Sequence, residues 1–242
     1  MIANPIYQPT GRAKEYCDLA INIYNGCNHG CSYCFARKMF ERYHPGEDFS
    51  KVTVRPGIVE ATRKQLSTGK YKDKTIQLCF MCDSYPAEID TTPTREVIKV
   101  IKEAGAHVQI LTKGGDRARR DFDLLDSGDS FGITLTCNNN EVQEQCESNA
   151  ATNDERILIL RYANFLQFKT WVSFEPVLDP FGVLKLIDWI PKNVPGTFLK
   201  IGKMNYMKND IDWKAFGLEA EFICKKNGWN YYIKEDLRAL MQ

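Results

Sequence analysis

Six short runs rich in β-branched and aromatic residues recur along the chain, each separated from the next by a longer amphipathic stretch. They lie at 19–24 (LAINIY), 75–80 (TIQLCF), 107–112 (HVQILT), 131–136 (FGITLT), 169–174 (KTWVSF) and 197–202 (TFLKIG). A strand followed by a helix, repeated, forces parallel pairing, because each helix carries the chain back to the other end of the sheet. Helix starts are marked by Thr92-Pro93 as cap plus proline, by the capping box Thr152/Glu155, and by Asp179-Pro180. The stretch 213–242 reads as a helix, a short strand (NYYIK) and a last helical turn. An open doubly wound sheet and a full or partial barrel both satisfy this order. In either, ligands gather at the carboxyl ends of the strands.

The segments just after the strands therefore matter most, and they are rich in thiol, carboxylate, amide and lysine: NGCNHGC, MCDSYP, KGGD, CNNNE, EPVLD and KMNY. A sheet end kept only for stability would not need that chemistry. With 242 residues, one large domain over 1–242 is expected. Its core should span about 17–205, with 206–242 packed on it as an extension. Lys plus Arg total 32 against 31 Asp plus Glu, a net charge of +1, so the totals carry no broad footprint for nucleic acid. No run approaches the ~20 apolar residues that span a bilayer, and no signal-peptide order is visible. A soluble, cytoplasmic protein without membrane partners is expected. In a reducing compartment its nine cysteines should be mostly thiols.

Three of these thiols crowd into eight positions, Cys27, Cys31 and Cys34. Thiolates suit zinc and iron–sulfur clusters. A structural zinc site closes with four ligands, and no fourth Cys or His follows at finger-like spacing. His29 sits too close to its neighbours to be a comfortable ligand. A [4Fe–4S] cubane held by three thiolates would keep one iron open to something that is not protein. Zinc completed in space, or plain buried thiols, are the competing readings.

The spacing Cx3Cx2C, with Tyr33 before the last cysteine, resembles the signature of the radical S-adenosylmethionine (radical SAM) superfamily. The string NIYNGCNHGCSYCFAR is closer still to its spore photoproduct lyase and DNA repair photolyase-like branch. The likeness runs on through NPIYQPTGRAKEY, LCFMCDSYP, VQILTKGGDRARRDFDLL, FGITLT, TWVSFEPVLDP and IGKMNY. It implies a partial (β/α)6 TIM-type barrel with the cluster and S-adenosylmethionine at the mouth. There the reduced cluster would cleave the sulfonium to a 5′-deoxyadenosyl radical that takes hydrogen from a substrate. An electron donor such as flavodoxin or ferredoxin is implied as partner, and a DNA lesion as one candidate substrate, with peptides and small molecules as others.

The resemblance assigns further residues, each with a plainer alternative. Tyr33 would pack on the adenine, while Tyr33 and Phe35 would also shield the cluster. Cys82 matches the hydrogen-atom donor of spore photoproduct lyase, although buried cysteine is more often inert. Asp83 and Ser84 stand where the superfamily's GGE stretch holds the methionine amine, but without those glycines. Lys113 would meet the carboxylate or ribose, and Thr134 would reach S-adenosylmethionine, with Thr136 pointing the same way. Glu175 would take ribose hydroxyls or the ammonium. Lys200, Lys203 and Asn205 are substrate-side candidates. His29 either donates toward a sulfide or fills the loop. Cys79 reads as packing, Cys17, Cys137, Cys146 and Cys224 as structural, and Arg117, Arg119 and Arg120 as a solvated helix face.

Overall fold

A computed structural model describes residues 4–242. The described residues form ten strands: β1 (Ile6–Tyr7), β2 (Ala20–Ile21), β3 (Tyr24–Asn25), β4 (Thr53–Val54), β5 (Thr75–Leu78), β6 (His107–Thr112), β7 (Ser130–Thr134), β8 (Lys169–Phe174), β9 (Phe198–Ile201) and β10 (Tyr231–Ile233). Eight form one sheet in the order β1-β2-β5-β6-β7-β8-β9-β10. Every neighbouring pair is parallel except β1–β2. The fold is thus α/β with a mostly parallel sheet.

Helices α1 (Phe35–Tyr43), α2 (Ile58–Leu66), α3 (Thr92–Glu103), α4 (Asn140–Cys146), α5 (Asn153–Phe165), α6 (Pro180–Asn193), α7 (Trp213–Asn227) and α8 (Glu235–Arg238) supply the crossovers and the final turn. The β6–β7 crossover is a 3-10 segment, Gly115–Leu124. The Thr152/Glu155 capping box forms, and Asp179 caps α6 by accepting from Gly182 N–H. The Thr92 expectation is corrected by one position. Thr91 is the cap residue, because Asp90 Oδ1 accepts from both the Thr92 amide (2.9 Å) and its hydroxyl (2.7 Å), drawing Thr92 into the first turn.

Two further differences bear on the site. The expected six parallel strands are seven, because β10 pairs with β9 in register Ile233↔Ile201 and makes 206–242 part of the sheet. The first expected strand is split: β2 ends at Ile21, and Tyr24–Asn25 pairs instead with Thr53–Val54.

One face of the sheet is apolar and packs on the helices through Ile76, Leu78, Val108, Ile110, Phe131, Ile133, Val172 and Leu199. The other carries polar groups. Gln109 Nε2 donates to Gln77 Oε1 (2.7 Å) and to the Tyr16 carbonyl (2.9 Å). The Tyr16 ring packs near Phe80 and Trp171, so the segment before β2 fills this side. Buried polar groups tolerate this only because they are paired. Gly132 lies beneath Trp171, where an added Cβ would fall 2.3 Å from the indole. Gly132→Ala is expected to cost about 1–3 kcal/mol of stability through overpacking, read as a lower urea midpoint at unchanged slope.

Candidate active site

The cysteine loop spans residues 26–34 and ends with Cys34 as the cap residue of α1. A glycine precedes each of the first two cysteines. Gly26 (φ 76°) and Gly30 (φ 72°) adopt left-handed backbone. A Cβ on Gly26 would lie 2.6 Å from the Phe49 carbonyl oxygen, and one on Gly30 would lie 2.3 Å from Ser148 Oγ. Only glycine meets both demands. The Cys27 amide donates to Phe49 O (2.9 Å), Ser32 to Cys146 O (2.9 Å), and Asn149 to His29 O (3.1 Å). The Asn28 side chain exchanges two hydrogen bonds with Ala87. Three other segments of the chain therefore hold this loop.

All three cysteines line one cavity of ≈ 740 Å³, together with Tyr33, Phe35, Cys82, Asp83, Lys113, Thr134 and Glu175. All are free thiols. Burial pushes Cys27 up to about 12 and Cys31 up to about 11. Among the described residues, the His/Cys/Asp/Glu ligand atoms gathered within 4.8 Å are those of His107, Asp126 and Asp129, outside this cavity and bridged by Lys102.

Asp83 is an organiser. One oxygen accepts from Thr112 Oγ1 (2.6 Å) and Tyr85 N–H (2.8 Å), the other from Lys113 N–H (2.9 Å), with His29 Nδ1 at 3.5 Å. Burial pushes its pKa up, but His29 and these donors outweigh it and hold the carboxyl below its usual value. Three hydrogen bonds and the nearby imidazole hold this carboxylate between the two loops. His29 is buried, and desolvation lowers its pKa. Its Nε2 lies 3.2 Å from the Tyr85 carbonyl and 3.1 Å from Arg117 Nη2, and Arg117 Nε donates to the same carbonyl (3.1 Å). His29 therefore braces the loop, and Arg117 reaches inward, off the expected solvated face.

Tyr33 is pinned from behind. Its hydroxyl donates to Glu147, which also accepts from Thr136 Oγ1 (3.0 Å) and Arg156 Nη2 (2.5 Å). Thr136 thus points into this buried network, because β7 ends at Thr134 and the alternation stops there. Thr134 does line the cavity. Lys113 Nζ lies 5.6 Å from the centre of the Tyr33 ring, and no hydrogen bond from Nζ forms among the described residues. Burial lowers its pKa, but Cys31 and Glu147 outweigh that and raise it, so the ammonium stays charged. Phe35 is 40% exposed at the rim and stacks with Tyr206 at 6.5 Å.

Glu175, after β8, accepts on Oε2 from Tyr16 Oη (2.6 Å) and Lys234 Nζ (2.5 Å), and on Oε1 from Asn205 Nδ2 (3.0 Å). Burial, then the Glu175 charge, raises the Tyr16 phenol well above its usual value. Tyr16 and Lys234 also line the cavity; they end the NPIYQPTGRAKEY string and the NYYIK strand, but the sequence singles out neither as a site residue. Ser84 is not on the cavity wall and is wholly buried. Lys200 turns away too: its Nζ donates to the Glu15 carbonyl (2.6 Å), and burial followed by Lys234 lowers it to about 8. Lys200 lines instead a separate ≈ 150 Å³ pocket near the strand starts. Lys203 bonds Asn205 Oδ1 at 3.2 Å.

Residues 12–221 match the family described as "Protein of unknown function (DUF5131)". The chain belongs to this family. It is 32% identical over 229 residues to the uncharacterized protein MJ0683 of Methanocaldococcus jannaschii, covering 91% of this chain and 85% of that one. This family member shares its fold with two radical SAM enzymes. Spore photoproduct lyase complexed with dinucleoside spore photoproduct superposes with a TM-score of 0.70 at 13% identity, over 93% of this chain and 78% of the lyase. SuiB of Streptococcus suis bound to S-adenosylmethionine gives 0.64 at 10% identity, over 88% and 49% of the two chains. Among the described residues no helix is long and apolar enough to cross a membrane.

Proposed function

We propose that the protein is a radical SAM enzyme built on a partial barrel, with a [4Fe–4S] cluster on Cys27, Cys31 and Cys34. One observation carries the reading. Three thiols share a single cavity with residues that close most of the parallel strands. When bound, a reduced cluster would supply the one electron needed for reductive cleavage of S-adenosylmethionine.

The chain's own residues hold, orient and shield. Lys113 offers a free ammonium to the methionine carboxylate. Thr134 offers an unpaired hydroxyl, and Glu175 Oε1 retains a lone pair for a ribose hydroxyl or the amine. Asp83 and His29 fix the two loops that carry the sulfurs and Lys113. Tyr33, tied to Glu147, gives an immovable wall for the adenine, and Phe35 with Tyr206 covers the cluster side from water. Cys82 would give the hydrogen atom of its S–H bond to the product radical, leaving a thiyl radical that one electron from the donor protein and one proton return to the thiol. At the rim, Arg12, Lys38 and Arg42 stand beside Phe35 and Tyr206. That edge suits an anionic ligand with a flat ring, so a nucleic-acid lesion stays the leading substrate reading, ahead of a peptide or small metabolite. A flavodoxin- or ferredoxin-type donor would provide the electron.

The expected result is a brown protein after oxygen-free reconstitution, which forms 5′-deoxyadenosine from S-adenosylmethionine and dithionite. A colourless, zinc-loaded protein that forms none would overturn the proposal.

A further inference from the structure

Cys79 and Cys82 do not sit as strand alternation would place them. β5 ends at Leu78, and Cys79 takes a left-handed backbone, φ 58°, a conformation that a residue with a side chain rarely adopts. The turn brings both thiols onto the wall of the same cavity. There the two thiols share one wall, three residues apart on a single turn. Neither is bridged, and Cys82 is the more open of the two.

Two thiols three residues apart on the wall of one solvent-connected space form a site of their own. We infer that Cys79 and Cys82 are a reversible dithiol–disulfide couple, oxidised by a small disulfide that enters the cavity and reduced by a thiol. The exchange balances without any metal. One thiol loses its proton and attacks a sulfur of oxidised glutathione, releasing one glutathione thiolate. The second thiol loses its proton and attacks the mixed disulfide, closing the Cys79–Cys82 bond and releasing the other. Two thiols and one glutathione disulfide become one protein disulfide and two glutathiones. Burial raises the Cys79 pKa, but Cys82 and Ser84 outweigh it and lower it, while burial and Cys79 push Cys82 up, so the pair gives up one proton readily and the second reluctantly. On the reading of Cys82 as a hydrogen-atom donor, the bridged form has no S–H bond to offer, and the couple would switch product formation off.

The sequence provides a direct test. Residues 75–95 lie between Lys74 and Arg95 with no internal Lys or Arg, and they hold Cys79 and Cys82 with no other cysteine. The full-length protein, as purified and after cluster reconstitution, is equilibrated oxygen-free in glutathione buffers, alkylated, cut with trypsin and weighed. The 75–95 peptide should pass from doubly alkylated to unalkylated and two hydrogens lighter. Its bridged fraction should rise from about a tenth to about nine tenths over a hundredfold change in [GSH]²/[GSSG]. Dithiothreitol should reverse it, and Cys79→Ser should abolish it. Two alkyl groups at every ratio would overturn the inference. So would Cys82 found only as a glutathione adduct, or linked to the 15–37 peptide that carries Cys27. The readout needs neither S-adenosylmethionine nor turnover, so its outcome is separate from that of the proposed activity.

Discussion

Cys31→Ala is expected to remove bound iron and 5′-deoxyadenosine formation together, to background. Cys31 is the most buried of the three loop thiols, 9% exposed, in a small apolar cluster with Tyr33 and Met204. Its backbone is fixed by Gly30 against Ser148 and by the Ser32–Cys146 hydrogen bond, so no neighbouring thiol can swing into its place. Changes to groups that merely support metal ligands cost roughly 10–100-fold, and loss of a ligand itself should exceed that. Cys146 gives the control. It packs on the same cluster but does not line the cavity, so Cys146→Ala should keep iron and cleavage. Iron per chain, visible absorption and 5′-deoxyadenosine by chromatography would be measured on both. Cleavage surviving in Cys31→Ala would remove the cluster assignment, whatever the behaviour of the control.

The parallel order of the main strands could be read because the β-branched runs are compact and each is followed by an amphipathic stretch. The cysteine loop, Lys113, Thr134 and Glu175 were legible for a related reason: the end of a parallel strand is where side chains face a shared space. What escaped was non-local. β1 and the β3–β4 hairpin are two-residue pairings, too short to leave a periodic trace. Gln77, Gln109 and Lys200 break the apolar runs because the segment around Tyr16 covers that face, through contacts between residues 93 and 185 positions apart. Lys234 reaches Glu175 only because β10 joins the sheet. Ser84 fell off the wall, and Cys79 came onto it, through one left-handed residue that no pattern of hydrophobicity encodes.

The Glu147–Arg156 pair is the least visible element and the one whose loss should be felt most in stability. Both side chains are fully buried. Arg156 comes from α5, donates from Nη1 to the Thr134 carbonyl (2.9 Å) and from Nη2 to Glu147 (2.5 Å), and so ties the end of β7 to the group that anchors Tyr33. Arg156→Met keeps the volume but leaves a carboxylate buried without its partner, a change that costs about 3–5 kcal/mol. For a chain of this size the midpoint should fall by roughly 6–20 °C. The pH dependence separates charge from packing. Burial raises the Glu147 pKa, but Arg156, Lys113 and Tyr33 outweigh it, leaving it below its ordinary 4.5 in the native protein. A carboxyl lowered on folding adds stability above its unfolded pKa and loses it as pH falls through the folded value. That loss in the wild type therefore belongs below 4.5. Without Arg156 the buried carboxyl moves upward and prefers its proton, so lowering the pH should narrow the gap between variant and wild type. Removing the charge as well, in Arg156→Met/Glu147→Leu, should recover much of the stability at neutral pH. A gap that stayed constant with pH, with no recovery in the double variant, would mean that Arg156 acts by packing alone and that the Tyr33 wall does not depend on the ion pair.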